Sequence, residues 1–165
     1  MNLTRIFRHL LMPHWRVRNA FPARTLRAID SAIQVCETTH AGVIRFAVEG
    51  ALHPLALLGN QSARDRAIQV FSQLRVWDTE HNNGVLIYIL LADRVVEIIA
   101  DRGVHARVGG EGWEKVCRKM EASFRAGKFE AGALDGIHEV GKHLARHYPS
   151  PGNGTHELAD GPVVL

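Results

Sequence analysis

A run of seven branched and aromatic apolar residues, Val85 to Leu91, constrains the fold of this chain more than any other feature. The run is too short to cross a bilayer and too unbroken for a strand with one wet face. We therefore expect a central β-strand that is covered on both sides. A short turn at Ala92, Asp93 and Arg94 leads to a second run, Val95 to Ala100, which predicts an antiparallel hairpin.

The segments around this hairpin predict its partners. Val43 to Glu49 alternates between apolar and other residues and is typical of a sheet strand. A capping-box pattern at Ser62 to Asp65 begins a helix, and a right-handed crossover through it makes the two strands parallel. Amphipathic helices are also predicted from Pro22, over Glu111 to Arg125 and after Gly127. The fold class expected is α/β: a three-layer sandwich with a mixed central β-sheet flanked by helices on both faces.

The composition fits one globular domain of this kind. The chain has 165 residues, of which 46% are hydrophobic and 22% are charged, enough for a two-sided core. We expect an amphipathic N-terminal arm over residues 1–20, the α/β domain over residues 21–149, and a disordered tail over residues 150–165. The tail prediction depends on its aperiodic mixture of Pro, Gly, Asn and Thr.

The N-terminal arm has one apolar helix face, formed by Leu3, Ile6, Phe7, Leu10 and Leu11. Arginines flank this face, so one hypothesis is peripheral contact with an anionic membrane through residues 1–12. The alternative is docking on its own domain or on a second subunit, with Trp15 as the anchor. The short amphipathic stretch favours docking.

The charge and the cysteine content limit which partners and which cellular compartment we expect for this protein. A net charge of +3 and a pI near 9.2 indicate mild basicity, but the charges are interleaved over most of the length. Nucleic-acid binding is therefore not expected. The two cysteines, Cys36 and Cys117, fall on predicted apolar helix faces, which favours packed, reduced thiols. No signal-peptide pattern is recognised at the N-terminus, so we expect a cytoplasmic protein, which the hypothesis of membrane contact would place at a membrane surface.

The hairpin register predicts two groups of acidic residues. If the turn is centred on Asp93 and Arg94, Leu86 faces Asp101 and Gly84 faces Gly103. The edge of the sheet at the start of the first hairpin strand then carries Asp78, Glu80, Asn83 and Asp101. The opposite edge offers an alternative group, Glu49 and Asp93. Such oxygen ligands suit Ca²⁺ or Mg²⁺, and Arg102 and Arg107 are candidates for binding an anion nearby.

Three motifs resemble the TPM domain family, which is founded on thylakoid, photosystem-repair and receptor-modulator proteins. They are Asn83-Gly84-Val85-Leu86-Ile87, the Asp93-Arg94 turn, and Phe124-Arg125-Ala126-Gly127-Lys128-Phe129 followed by Gly132 and Gly136. The resemblance covers about Pro22 to Pro149. It implies an α/β sandwich that is frequently metal-binding, with some members proposed as acid phosphatases. Here Ala100 to Arg107 replaces the glycine- and acid-containing segment of many members, so no acidic ligand is transferred from that segment.

Two functional hypotheses follow. The first is a non-catalytic TPM-type interaction module that binds an unknown protein partner, with or without a divalent cation. The alternative is a metal-dependent, acid-phosphatase-like hydrolase of phosphate esters, in which carboxylates hold the cation and Arg102 or Arg107 steadies the phosphoryl charge. The first is favoured, because Ala100 to Arg107 departs from the family pattern and the resemblance supplies no agreed catalytic nucleophile to transfer.

Overall fold

The computed structural model of the protein describes residues 3–150 and 161–165. Its sheet has four strands in the spatial order β3-β2-β1-β4. The inner pair β1 and β2 is parallel, β2 and β3 form the antiparallel hairpin, and β4 is parallel to β1. The strands are β1 (Val43–Glu49), β2 (Gly84–Leu90), β3 (Val95–Ala100) and β4 (Val163–Val164).

Helices cover both faces of this sheet, which confirms the predicted three-layer α/β sandwich. Every residue of β2 is buried, as its uninterrupted apolar composition requires. The described helices are α1 (Leu3–Leu10), α2 (His14–Ala20), α3 (Ala23–Glu37), α4 (Pro54–Leu58), α5 (Ala63–Gln73), α6 (Arg102–Val108), α7 (Gly110–Arg125) and α8 (Phe129–His147).

The core is divided into two parts by the sheet. Ile44, Phe46 and Val48 of β1 point to one face, where they pack with α2, α3, α7 and α8. Ala47 points to the other face, where α4 and α5 form a smaller cluster around Tyr88. The capping box predicted at the start of α5 is present, with Ser62 and Asp65 bonding each other's backbone amides.

The last helix packs unusually close to its neighbours, as its glycines predict. A Cβ atom on Gly136 would overlap the side chain of Met120 in α7, and one on Gly141 would lie 3.0 Å from Cys36 Sγ in α3. Small residues at these positions allow the backbones of adjacent helices to approach each other. The helix propensity lost at each glycine is therefore offset by packing.

The hairpin register differs from the prediction by two residues. Leu90 faces Val95 and Leu86 faces Ile99, so the turn consists of residues 91–94 and is centred between Ala92 and Asp93. A shift by an even number of residues keeps every side chain on its predicted face. Asp101 nevertheless lies at the predicted edge, because its amide donates to Gly84 O at 2.8 Å.

The predicted disorder of residues 150–165 is wrong for the end of the chain. Val163 and Val164 pair with Ala47 and Val48, and the Leu165 amide donates to Val48 O at 2.9 Å. The physical reason is that β1 otherwise has an unpaired edge, which two β-branched residues can fill. Residues 151–160 of the predicted tail, and residues 1 and 2 of the arm, lie outside the described part of the chain.

Candidate functional site

The predicted acidic group is only partly assembled. Asp78 and Glu80 are exposed on the connection between α5 and β2. Asn83 is buried, and its side-chain amide donates to Ala41 O at 3.2 Å. It therefore fixes the start of β2 against the loop before β1, which is a structural role.

Asp101 has one committed oxygen and one uncommitted oxygen. Its Oδ1 atom accepts from the Arg102 amide at 2.7 Å and caps the start of α6. Its Oδ2 atom is buried and has no hydrogen-bond partner among residues 3–150 and 161–165. Within the same residues, no three His, Cys, Asp or Glu side chains form a group that could hold a metal ion. Calcium or magnesium binding by Asp78, Glu80, Asn83 and Asp101 thus stays a prediction without geometric support.

Glu49, one of the two alternative acidic residues, is bound by a guanidinium group and a phenol. Arg66 donates to its two carboxylate oxygens at 2.8 and 3.1 Å, and Tyr88 Oη donates to Oε2 at 2.6 Å. Burial and the adjacent Glu49 carboxylate raise the pKa of Tyr88 far above its ordinary value, so the phenol stays a donor. This network satisfies the charge of Glu49 inside the fold.

Asp93, the other alternative, anchors the N-terminal arm. Arg5 donates to Oδ2 through Nε at 3.0 Å and through Nη2 at 2.8 Å. His9 Nδ1 accepts from the Leu52 amide at 2.9 Å, so its Nε2 carries the proton and donates to Asp93 Oδ1 at 3.0 Å. Burial alone would raise the pKa of Asp93, but these hydrogen bonds outweigh it and hold the pKa below its ordinary value.

The arm thus docks on its own domain through polar contacts. Trp15, the predicted anchor, is 58% exposed, and the buried apolar contacts of α2 and its C-cap come from Val17 and Phe21 instead. Trp15 is not the anchor because the arm is held instead by the polar side of α1, where Arg5 and His9 bind Asp93. Both acidic residues at the carboxyl ends of β1 and β2 are consequently neutralised by arginine.

The candidate anion-binding residues Arg102 and Arg107 line one shallow, open depression with His81, Asn82, Gly103 and Tyr148. The Arg107 guanidinium lies over the Tyr148 ring, 4.5 Å from its centroid, and donates to His147 O at 2.7 Å. Arg102 is exposed and makes no side-chain hydrogen bond or ion pair within the described residues. The structure therefore brings the two arginines to one surface, with only Arg102 uncommitted.

A more enclosed groove, which the sequence reasoning missed, lies where β2 ends and the hairpin turns. Its volume is about 550 Å³. We call it the hairpin groove. In α/β sheets, ligands commonly bind outside the carboxyl ends of parallel strands. It is lined by Met12, Arg16, Asn19, Ala20, Ile89, Leu91, Arg94, Val95, Glu121, Phe124, Arg125, Gly127 and Phe129.

The hairpin groove combines aromatic walls with positive charge. Phe124 and Phe129 stack with their ring centroids 5.3 Å apart, and Phe21 contacts both edge-on. Three arginines line the groove, Arg16, Arg94 and Arg125, against one acidic residue. That residue, Glu121, accepts from the Val96 amide at 3.1 Å and lies 4.0 Å from Arg125. The groove is therefore suited to a ligand that carries both an apolar group and negative charge.

Arg94 occupies an unfavourable backbone conformation beside this groove. Its φ is 57°, in the left-handed region that favours glycine. The side chain is exposed and makes no hydrogen bond or ion pair with the described residues. Holding a non-glycine residue here costs about 1 to 2 kcal/mol, and in this conformation the Arg94 amide closes the turn by donating to Leu91 O at 3.1 Å. The turn thus presents an arginine side chain without a partner among the described residues beside the hairpin groove.

The cysteine thiols are not candidates for nucleophilic chemistry. Cys36 and Cys117 are both free and half-buried against the core. Burial, with a smaller contribution from Glu97, raises the pKa of Cys117 to about 12, and burial also raises the pKa of Cys36. At neutral pH both remain protonated and unreactive.

Two of the three motifs singled out in the sequence meet at the hairpin groove. Arg94 comes from the hairpin turn, whereas Phe124, Arg125, Gly127 and Phe129 come from the segment that joins α7 to α8. Comparison with protein families gives a match to the TPM domain over residues 18–143. The chain belongs to the TPM domain family. The groove is thus built from segments that carry the resemblance to this family.

A solved structure supports the same assignment. The chain is similar to the BA42 protein from the psychrophilic bacterium Bizionia argentinensis, whose structure was determined by NMR. The two share 29% sequence identity with a TM-score of 0.77, over 88% of this chain and 95% of BA42. No curated protein matches this chain. Among the described residues, no helix has both the length and the apolar character needed to cross a membrane.

Proposed function

We propose that this TPM domain is a non-catalytic interaction module, and that its hairpin groove binds an acidic segment of a partner protein through both charge and an apolar side chain. The observation that carries the proposal is the uncommitted Arg94 side chain at an aromatic-walled groove, which three arginines and one acidic residue line. The surrounding arginines give the same preference for negative charge. The alternative, a metal-dependent phosphatase, receives less support because Glu49 and Asp93 are already bound to arginines.

The test compares two arginines in the same backbone conformation. Arg75 also has a positive φ, 51°, and is exposed, but it does not line the hairpin groove. Arg94→Gly and Arg75→Gly therefore remove the same charge and relieve the same strain. Relief of about 1 to 2 kcal/mol, less about 0.5 to 1 kcal/mol for the added chain freedom of glycine, leaves the free energy of unfolding unchanged or higher by up to about 1.5 kcal/mol.

The binding assay uses a fluorescein-labelled peptide of alternating Asp and Phe, with an alternating Lys and Phe peptide as the charge control. We expect saturable binding of the acidic peptide only. A hydrogen bond to a charged group contributes about 1.5 to 3 kcal/mol, so Arg94→Gly should weaken binding by roughly 10- to 150-fold. Arg75→Gly should leave it unchanged. If both variants bind the acidic peptide equally weakly, the effect comes from net charge and not from Arg94. If the parent binds both peptides equally well, the groove does not recognise negative charge.

Hydrolysis is tested on the same protein. With Ca²⁺ or Mg²⁺ present, the parent should not turn over para-nitrophenyl phosphate. A saturable, metal-dependent rate that Asp101→Asn abolishes would replace the interaction module with the hydrolase alternative.

A further inference from the structure

The N-terminal helix turns its apolar face to solvent. In α1, Leu3, Phe7 and Leu10 are 58–61% exposed, and Leu11 just after it is 75% exposed. Monomeric proteins rarely display a contiguous stripe of such residues without a binding role. Docking of the arm therefore leaves its most apolar side without a partner among the described residues.

Polar anchoring explains why the apolar face points outward. Arg5 and His9 lie on the opposite side of α1 and bind Asp93, and the imidazole of His9 is fully buried. Ile6 packs against the smaller core cluster beside them. Because these contacts fix the rotation of the helix, the exposed face is a rigidly presented surface.

A neighbouring helix extends the exposed apolar area. α4 packs beside α1 and buries Leu57, while Leu55 and Leu58 are 72% and 64% exposed. Trp15 at the start of α2 is 58% exposed as well. We define the arm surface as the exposed residues of these segments: Leu3, Phe7, Leu10, Leu11, Trp15, Leu55 and Leu58.

The segments that form the arm surface carry only positive charge, and Asp93, on which they dock, is paired with Arg5 and Arg8. Residues 1–29 contain six arginines and no Asp or Glu, and residues 50–61 contain no Asp or Glu either. The remaining 14 basic and 17 acidic residues give the rest of the chain a net charge of −3, against +6 for residues 1–29. A second copy docked symmetrically on this surface would bring arginines together. An anionic lipid surface satisfies both the charge and the exposed apolar side chains.

We propose that the arm surface binds anionic lipid bilayers peripherally, with Phe7 and the leucines at the acyl boundary and the exposed arginines of residues 1–29 at the headgroups. This attachment needs no membrane-spanning segment. It is independent of the hairpin groove, since none of the apolar residues of the arm surface lines that groove.

The experiment measures co-sedimentation of the full chain with two kinds of vesicle: phosphatidylcholine alone, and phosphatidylcholine with about a third phosphatidylglycerol. The test variant is Phe7→Glu with Leu10→Glu. The control is Val35→Glu with Ile68→Glu, which adds the same charge at exposed apolar positions outside the arm surface. We expect the parent to bind anionic vesicles at least about tenfold more tightly than neutral ones. The test variant should lose at least about tenfold, whereas the control should stay within about threefold.

Tryptophan quenching by brominated lipid locates the contact. Trp15 and Trp77 are similarly exposed, at 58% and 52%, but only Trp15 belongs to the arm surface. Quenching should disappear in Trp15→Phe and persist in Trp77→Phe, because brominated chains quench only indoles that enter the acyl region.

Three results would overturn the proposal. One is a parent that does not bind anionic vesicles. Another is a control pair that loses as much binding as the test pair, since the effect would then be one of net charge. The third is a parent that does not bind lipid and is a dimer in analytical ultracentrifugation, whereas the Phe7→Glu, Leu10→Glu variant is a monomer. That result would assign the arm surface to contact with a second copy of the chain.

Discussion

Replacing Asp93 by Asn should release the N-terminal arm while the α/β domain stays folded. Asp93 and Arg5 side chains are only 10% and 16% exposed, and Arg5 binds the carboxylate with two nitrogens. The variant keeps an oxygen for His9 but loses the charge. Because a hydrogen bond to a charged group contributes about 1.5 to 3 kcal/mol, we expect the free energy of opening the arm to fall by about 2 to 3 kcal/mol.

Limited trypsin digestion measures this opening, since cleavage after Arg5 or Arg8 requires α1 to leave its docked helical state. When opening is fast, the cleavage rate follows the population of the open arm. A fall of about 2 to 3 kcal/mol then corresponds to roughly 30- to 150-fold faster cleavage. Asp78→Asn is the matched control, because Asp78 is exposed and its carboxylate makes no hydrogen bond within the described residues. Equal cleavage rates in the Asp93 variant and the parent would refute the anchoring role.

The pH dependence follows from the lowered pKa of Asp93. A carboxyl group whose pKa is lower in the folded state stabilises that state above its unfolded pKa, about 3.9. Its contribution is lost as the pH falls further, through the folded pKa. In the parent, the free energy of opening the arm should therefore stay constant from pH 7 to about 5 and fall below about pH 4. In the Asp93→Asn variant, the part of this fall that comes from Asp93 should be missing. Identical acid profiles would show that Asp93 is not the titrating anchor.

Substitutions at Gly84 and Asp101, with Gly110 as a control, test the packing and the capping. Gly84→Ala should destabilise the domain by at least about 3 kcal/mol in urea unfolding, because the new Cβ atom would overlap the Val76 carbonyl oxygen; Gly110→Ala, with no atom nearby, should be neutral or slightly stabilising. Asp101→Ala should cost about 0.5 to 2 kcal/mol through loss of the α6 cap, whereas Asp101→Asn should keep the cap and change the melting temperature little. A loss of equal size in both Asp101 variants would show that the charge, not the cap, is what stabilises α6.

The layers of this fold were predictable because the signals for them are local. An unbroken apolar run such as Val85 to Leu91 requires cover on both faces wherever it lies, and period-2 or 3.6 patterns identify the inner sides of strands and helices. The hairpin register was harder to predict from the sequence, since it depends on which backbone groups close the turn. Centring the turn between Ala92 and Asp93 instead of on Asp93 and Arg94 changed each strand pair by two residues.

The candidate site depended on contacts between distant segments. The hairpin groove joins Arg94 to Phe124 and Arg125, and although both segments were recognisable motifs, nothing in their spacing indicated that they meet. Glu49 and Asp93 are candidate metal ligands on sequence grounds, because the arginines that neutralise them are remote in sequence. Arg66 reaches Glu49 from α5, and Arg5 reaches Asp93 across 88 residues.

The N-terminal arm shows most clearly what the sequence determines by itself and what only the tertiary structure determines. Its apolar residues and their helical spacing established by themselves that α1 is amphipathic. Only the tertiary structure decided which side faces the protein, because periodicity identifies two faces without giving either a partner. The buried pairing of Arg5 and His9 with Asp93 turned the polar side inward and left Phe7 and Leu10 facing solvent.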